Sequence, residues 1–386
     1  LFKEGIDVFR NKTLAVLVVL VLVMTALSGC GGSKTIKIGT IQPISGQIAA
    51  YGTQTRDAIS MAVEEINANG GVLGKKIELI VEDDEANPEK TMNAFIKLTS
   101  KDKVVALIGA LTSKCSLAIT EDAQAKKVVM ISPSSTNDIV TDAGDYIFRA
   151  CYKDSFQGQV CAQFAFETLK AKNAAILYDI TNDYSKGLTK NFTDKFAALG
   201  GKIVVSESYS TGDKDFNAQL TKIKAANPDV LFIPDYYSTV SLIAKQVRNQ
   251  GMTLPMMGGD GWDEITNNAG DEVIDCYYSN HYSPEADDKE VKDFVTKFEE
   301  KYKITPNALA ALGYDATYIV AEAIAKAGAV DPEKIKNAMF ETDRKFVTGN
   351  IKFDDSGNPV KSAVMLRIIK GQDGKLTTEY AGTVNP

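Results

Sequence analysis

The sequence predicts an α/β protein of two lobes, each a parallel sheet flanked by helices, with more than one crossing between them. Three observations carry this. Short apolar runs alternate with helix-period segments from Ile36 onward, the pattern of strand–helix–strand units. The alternation restarts near Ser155 as a second set. After His281 three helices follow in succession, Asp288–Tyr302, Leu309–Ala327 and Pro332–Met339, so the chain returns to cover an earlier sheet. With 386 residues, 44% of them hydrophobic and 24% charged, two sizeable cores can be buried.

The first unit is a strand at Ile36–Ile41 and a helix over Gln54–Ala68, closed by Asn69-Gly70-Gly71, residues that tolerate positive φ. A strand follows at Lys76–Glu82. Asn87-Pro88 then caps and opens a helix over Pro88–Ser100. Val104–Gly109 is a strand, Ser116–Lys126 a helix, Val128–Ile131 a strand, and Ser132–Thr136 a polar loop. In the second set, strand Ala174–Asp179 precedes helix Tyr184–Leu199, which Gly200-Gly201 ends. Strand Ile203–Glu207, helix Phe216–Ala226, strand Val230–Ile233, helix Thr239–Gly251 and strand Met256–Gly258 continue it. Strands near Gly349–Asp354 and Ala363–Lys370 close the chain.

The front of the chain has its own grammar. Lys3, Arg10 and Lys12 precede an apolar run from Leu14 to Leu27, the order of a secretory signal. That run is short of the roughly 20 residues that span a bilayer. Leu27-Ser28-Gly29-Cys30 then resembles the lipobox of bacterial lipoproteins, in which cleavage leaves the cysteine as a lipid-bearing N-terminus. The resemblance implies a signal peptide over 1–29, lipidation at Cys30, a Gly/Ser linker over 30–35 and an extracytoplasmic body on a membrane anchor. Net charge is −7, with Lys and Arg scattered among Asp and Glu, so no basic stripe supports nucleic-acid binding. Cys115, Cys151, Cys161 and Cys276 are either buried free thiols or partly disulfide-bonded; an exported location permits three complete pairings. No metal-ligand spacing and no cofactor motif is present, and His281 is the only histidine.

Several strings then fall into one register. "IGTIQPISGQIAAYG", "AVEEINANGGVLGKKIELIVEDDEANP", "GALTSKCS", "MISPSST", "YDITNDYSKG", "PDVLFIPDYY", "GGDGWD" and "ALGYDA" resemble, in order and spacing, the leucine/isoleucine/valine-binding protein family. These are type I periplasmic binding proteins that serve ABC importers. The resemblance implies two Rossmann-like lobes joined by three hinge crossings, with an amino acid held in the cleft. One lobe takes 34–154 and 282–357, the other 155–281 and 358–386.

An amino-acid zwitterion needs donors for its carboxylate and an anion for its ammonium. Ser113 follows one strand and precedes a helix; Ser134 and Thr136 follow the next strand, at the sheet edge where open α/β sheets bind ligands. Each residue taken alone reads first as a cap or turn. In family register, these positions take the carboxylate and part of the ammonium. Asp260, between Gly259 and Gly261, is the candidate partner of the ammonium, where the family commonly has Glu or Asp. Family matching puts Tyr51, Tyr184 and Tyr236 around the ligand, where an aromatic face and a hydroxyl suit a closing cleft. Trp262, the only tryptophan, is either a wall of the side-chain pocket or a core residue. The neighbouring carboxylates Asp83-Asp84 point to opposite faces of a strand and are structural.

The implied function is that of a monomeric, lipid-anchored solute receptor. It captures a neutral, branched-chain amino acid and hands it to ABC permease subunits powered by a separate ATPase, since no phosphate-binding loop is present. The alternative is a sensing module of the same fold for another small amino acid, amide or carboxylate. An enzyme is poorly supplied: one histidine and no G-x-S-x-G leave a hydrolase without its nucleophile and base.

Overall fold

The computed structural model describes residues 35–385, so the signal segment and Cys30 lie outside the described residues. Two sheets organise the chain. The first runs in the order β2-β1-β3-β4-β5, from β1 (Thr35–Gln42), β2 (Lys76–Asp83), β3 (Ala106–Ile108), β4 (Val129–Ser132) and β5 (Ile147–Arg149). The pairs β1·β3, β3·β4 and β4·β5 are parallel. Such strands are covered on both faces, so they read as unbroken apolar runs rather than alternation.

The second sheet holds β6 (Asn173–Asp179), β7 (Lys202–Tyr209), β8 (Val230–Phe232), β9 (Met256–Gly258) and β10 (Tyr277–Asn280). Its order, β14-β13-β10-β9-β8-β6-β7, is parallel from β7 to β10. The last two strands, β13 (Ala363–Lys370) and β14 (Leu376–Val384), pair antiparallel on its edge. Strands β11 (Asp343–Phe346) and β12 (Gly349–Lys352) form a separate hairpin.

The chain passes between the sheets three times: after β5, after β10, and between β12 and β13. After β10 come helices Lys289–Tyr302, Ala308–Ala327 and Pro332–Phe340; the middle one packs along helix Ala49–Ala68 and against β3 and β4. Helix Ala308–Ala327 is apolar on nearly every face because it is buried on nearly every face. Asn307 caps it, its side chain accepting from Ala310 N at 2.9 Å. One apolar cluster fills the first sheet, from Ile36 and Phe95 to Phe148 and Ile319. Another underlies the second, with Phe192 stacked on Phe232 at 4.1 Å. A third joins them, running from Tyr51 and Leu111 to Trp262 and Ala308.

Two expectations are corrected. Helix Gln54–Ala68 begins five residues earlier, at Ala49. The single helix Ser116–Lys126 is two pieces, Ser113–Leu117 and Thr120–Ala125. The second sheet carries two antiparallel edge strands on its parallel body. The four cysteines Cys115, Cys151, Cys161 and Cys276 are free and buried, which decides between thiols and disulfides. Desolvation pushes the first three up to about 12 and Cys276 to about 11.

Candidate functional site

The carboxyl ends of β3, β4, β8 and β9 face one another across a small cavity of about 20 Å³. Six of the residues singled out in the sequence line it: Tyr51, Ser113, Ser134, Tyr184, Tyr236 and Asp260, with Leu111, Thr112, Gly261 and Leu309 beside them. Each reaches it for a local reason. Tyr51 stands in the first turn of helix Ala49–Ala68, where Gly52 lets the helix rest on the Pro43 carbonyl; a Cβ there would lie 2.2 Å from that oxygen. The Tyr51 hydroxyl donates to Gly261 O at 2.6 Å, tying a first-sheet helix to a second-sheet turn. Tyr184 and Tyr236 stack with ring centroids 5.2 Å apart, and Tyr51 meets Tyr236 edge-on at 6.3 Å. Burial raises all three phenols well above their ordinary value, so they remain protonated donors.

Asp260 is the electrostatic centre. Its Oδ1 accepts from Tyr184 Oη at 2.9 Å and from Gln157 Nε2 at 3.0 Å, and its Oδ2 lies 2.9 Å from His281 Nε2. Tyr184 Oη also accepts from Gly261 N at 2.9 Å, which fixes the glycine turn. His281 lies flat on Tyr152 at 3.9 Å. Burial pulls the imidazole below its ordinary value even though Asp260 opposes this. Among the described residues its Nδ1 has no partner, so the neutral ring donating through Nε2 is the form the surroundings accommodate.

On the opposite wall, Ser113 Oγ accepts from Asn137 N at 3.2 Å, and Ser134 Oγ donates to Leu111 O at 2.9 Å. Two sequence candidates do not join the lining. Thr136 is buried behind it, and its carbonyl accepts from Asp154 N at 2.8 Å. Trp262 is fully buried, donating through Nε1 to Ile233 O at 2.8 Å and lying under Gly258, whose added Cβ would be 1.9 Å from that nitrogen. The short turn that aims Asp260 into the cavity rotates residue 262 into the core, so the tryptophan backs the site rather than walling the pocket.

Sequence reasoning passed over Gln157, Tyr152 and the role of His281. It also missed a set of contacts at the end of helix Ala308–Ala327. Asp263 Oδ2 accepts from Ala308 N at 2.6 Å, and Glu264 Oε1 accepts from Gln54 Nε2 at 2.6 Å and Asn307 Nδ2 at 3.0 Å. Carboxylates at a helix N-terminus are stabilised by its dipole. Burial nevertheless raises Asp263 to about 7. A second link lies where Asn137 Nδ2 donates to Asp183 O at 2.7 Å. The available signal was position: His281 directly follows β10, where the chain leaves its sheet.

Residues 35–375 match the periplasmic binding protein family. The chain belongs to that family. Like its other members it is a solute-binding protein and not an enzyme. It is 32% identical to a leucine-, isoleucine-, valine-, threonine- and alanine-binding protein of Pseudomonas aeruginosa, over 84% of this chain and 87% of that one. Among solved structures, this periplasmic binding protein superimposes on a leucine-binding protein of Thermotoga maritima with a TM-score of 0.86, at 36% identity, covering 91% of this chain and 99% of that one. A branched-chain amino acid transporter substrate-binding protein of Streptococcus pneumoniae, in complex with isoleucine, gives 0.84 at 35% identity, covering 91% and 100%.

Proposed function

We propose that this protein captures a neutral, branched-chain amino acid between two lobes and delivers it to an ABC importer, working outside the cytoplasmic membrane on a lipid anchor at Cys30. The observation that carries the reading is the meeting of Asp260 with Ser113, Ser134 and three tyrosines around one cavity. Hydroxyls and backbone amides on one wall suit a carboxylate; a buried aspartate on the other suits an ammonium. Relatives of this chain are named for leucine, isoleucine, valine, threonine and alanine, for leucine, and for branched-chain amino acids, which supports the ligand class.

The proposed lobes are 34–154 with 282–357 and 155–281 with 358–386, hinged at the three crossings. A cavity of about 20 Å³ holds little more than one water. An amino acid therefore enters only when the lobes part, and it is gripped as they close. The bonds Tyr51–Gly261, Gln54–Glu264 and Asp263–Ala308 exist only when these lobes meet. The ligand favours the closed form by its differential affinity for it, and nothing else. The permease then reads the closed shape.

A thermal-shift screen of the twenty amino acids on the Gly31–Pro386 fragment tests this. A ligand at about 100 times its Kd adds roughly 2.7 kcal/mol of stability. Leucine, isoleucine or valine should give the largest shift. No shift with any amino acid, alongside one with an unrelated solute, would end the assignment.

A further inference from the structure

His281, which contacts Asp260 from behind the small cavity, borders a second and larger cavity, of about 600 Å³. That is the size of a small-molecule pocket, for which about 300–1,000 Å³ is typical. Its walls come largely from the segments that join the two sheets: His281–Asp288 after β10, Val347–Asn350 at the β11–β12 turn, and Val360–Ser362 before β13. Val291, Val347, Val360, Val364 and Tyr380 give it an apolar body. Val360 and Tyr380, at 66% and 57% exposure, are the two most exposed large apolar side chains among the described residues. Apolar surface held open to water around a concave site is the mark of a ligand pocket.

The same cavity has a polar anchor. Lys361 borders it, yet is only 4% exposed. Its ammonium donates to Ala150 O at 3.1 Å and to Thr348 Oγ1. Among the described residues no carboxylate pairs with it directly. Asp315, the nearest counter-charge, acts on it through space and through Thr348, whose hydroxyl donates to Asp315 Oδ2 at 2.7 Å. An ammonium has three donors, and two of them are used here, by Ala150 O and Thr348 Oγ1. The charges at the rim do not compete for that role. Lys345 is paired with Asp288 and Glu290, Asp287 is paired with Lys292, and Glu285 is exposed to solvent.

We propose that this cavity is a second ligand site, taking a small apolar carboxylic acid whose carboxylate sits on Lys361 and whose hydrocarbon body lies along the valines and Tyr380. An apolar molecule without an acceptor leaves the third donor of the ammonium unused, and a cationic one meets it as a like charge. The site is separate from the cavity at Asp260 and does not depend on which solute that cavity takes.

Isothermal titration with sodium octanoate tests the proposal, with octan-1-ol as the uncharged comparator, on wild type, Lys361→Met and Val360→Asp. Octanoate should saturate the wild type, and each substitution should weaken it by about tenfold or more, as loss of a buried charge partner or placement of a like charge at the mouth demands. Octan-1-ol should bind about tenfold more weakly than octanoate by the same reasoning. Val360 is an exposed position, so that variant keeps the test open if Lys361→Met does not fold. Absence of saturable octanoate binding, undiminished binding in Val360→Asp, or equal affinity for octan-1-ol would each overturn it.

Discussion

Asp260→Asn separates charge from shape at the centre of the proposed site. The residue is 4% exposed and its carboxylate is ringed by three donors, Tyr184 Oη, Gln157 Nε2 and His281 Nε2, all within 3.0 Å. Asparagine fills the same space but turns an NH₂ group toward a donor on one side or the other. His281 can relieve one arrangement by accepting at Nε2, which moves its proton to Nδ1, where no acceptor waits. The folded protein should therefore lose about 1–3 kcal/mol, the cost of one buried polar group left unsatisfied. Binding should suffer more. The ligand ammonium loses the carboxylate facing it, and breaking a buried ion pair costs about 3–5 kcal/mol. At about 1.4 kcal/mol per decade, that is a weakening of roughly a hundred- to several-thousand-fold. Isothermal titration with leucine reads the affinity, and calorimetric melting of the same samples checks the fold. Leucine affinity within tenfold of wild type in a folded variant would refute the assignment of Asp260 to the ammonium.

Tyr51→Phe removes the bond to Gly261 O, so leucine affinity should fall by about fivefold, the equivalent of about 1 kcal/mol; stopped-flow binding should place the loss in the dissociation rate. The His281 imidazole is held below its ordinary 6.5 in the folded state, so the unfolded chain binds the extra proton first and folding loses stability as pH falls through that value. A proton on His281 would also neutralise Asp260, so leucine affinity should drop at lower pH than 6.5, where the folded imidazole itself takes up the proton. Burial raises Asp235 and Asp263 to about 7, and those carboxyls lose stability in the opposite sense, as pH rises through that value. The check is therefore the difference between wild type and His281→Gln, which should lose the acid-side fall in both melting temperature and affinity. The four buried thiols, raised to about 11–12, should resist a thiol reagent until the protein is denatured, and dithiothreitol should leave the melting temperature unchanged.

The residues of the candidate site were legible mainly through family register. Position narrows the choice, since a ligand at the edge of an open α/β sheet touches loops after strands, and Ser113, Ser134 and Asp260 follow β3, β4 and β9, but only the resemblance raised them above caps and turns. Trp262 was the instructive failure. Its neighbour Asp260 does face the cavity, but the direction of a side chain two residues on depends on the turn between them, and that turn sends the indole inward. Thr136 failed for a similar reason: it belongs to the right loop, but that loop buries its hydroxyl behind the lining. Short strands such as β5 and β10 escaped notice because three or four residues carry too little periodicity.

The sequence by itself determined the α/β class, the restart near Ser155 and the succession of helices after His281, since periodicity and turn chemistry are local properties of the chain; the residues around the cavity were named through the family resemblance. Only the tertiary structure decided what those residues do to one another. It set His281 and Gln157 on Asp260 and brought Asp263 and Glu264 to the start of helix Ala308–Ala327. It also set the buried ammonium of Lys361 beside an open apolar cavity. Those pairings span tens to hundreds of residues, and the distance between two side chains so far apart along the chain is fixed by how the sheets and crossings pack, which no local pattern encodes.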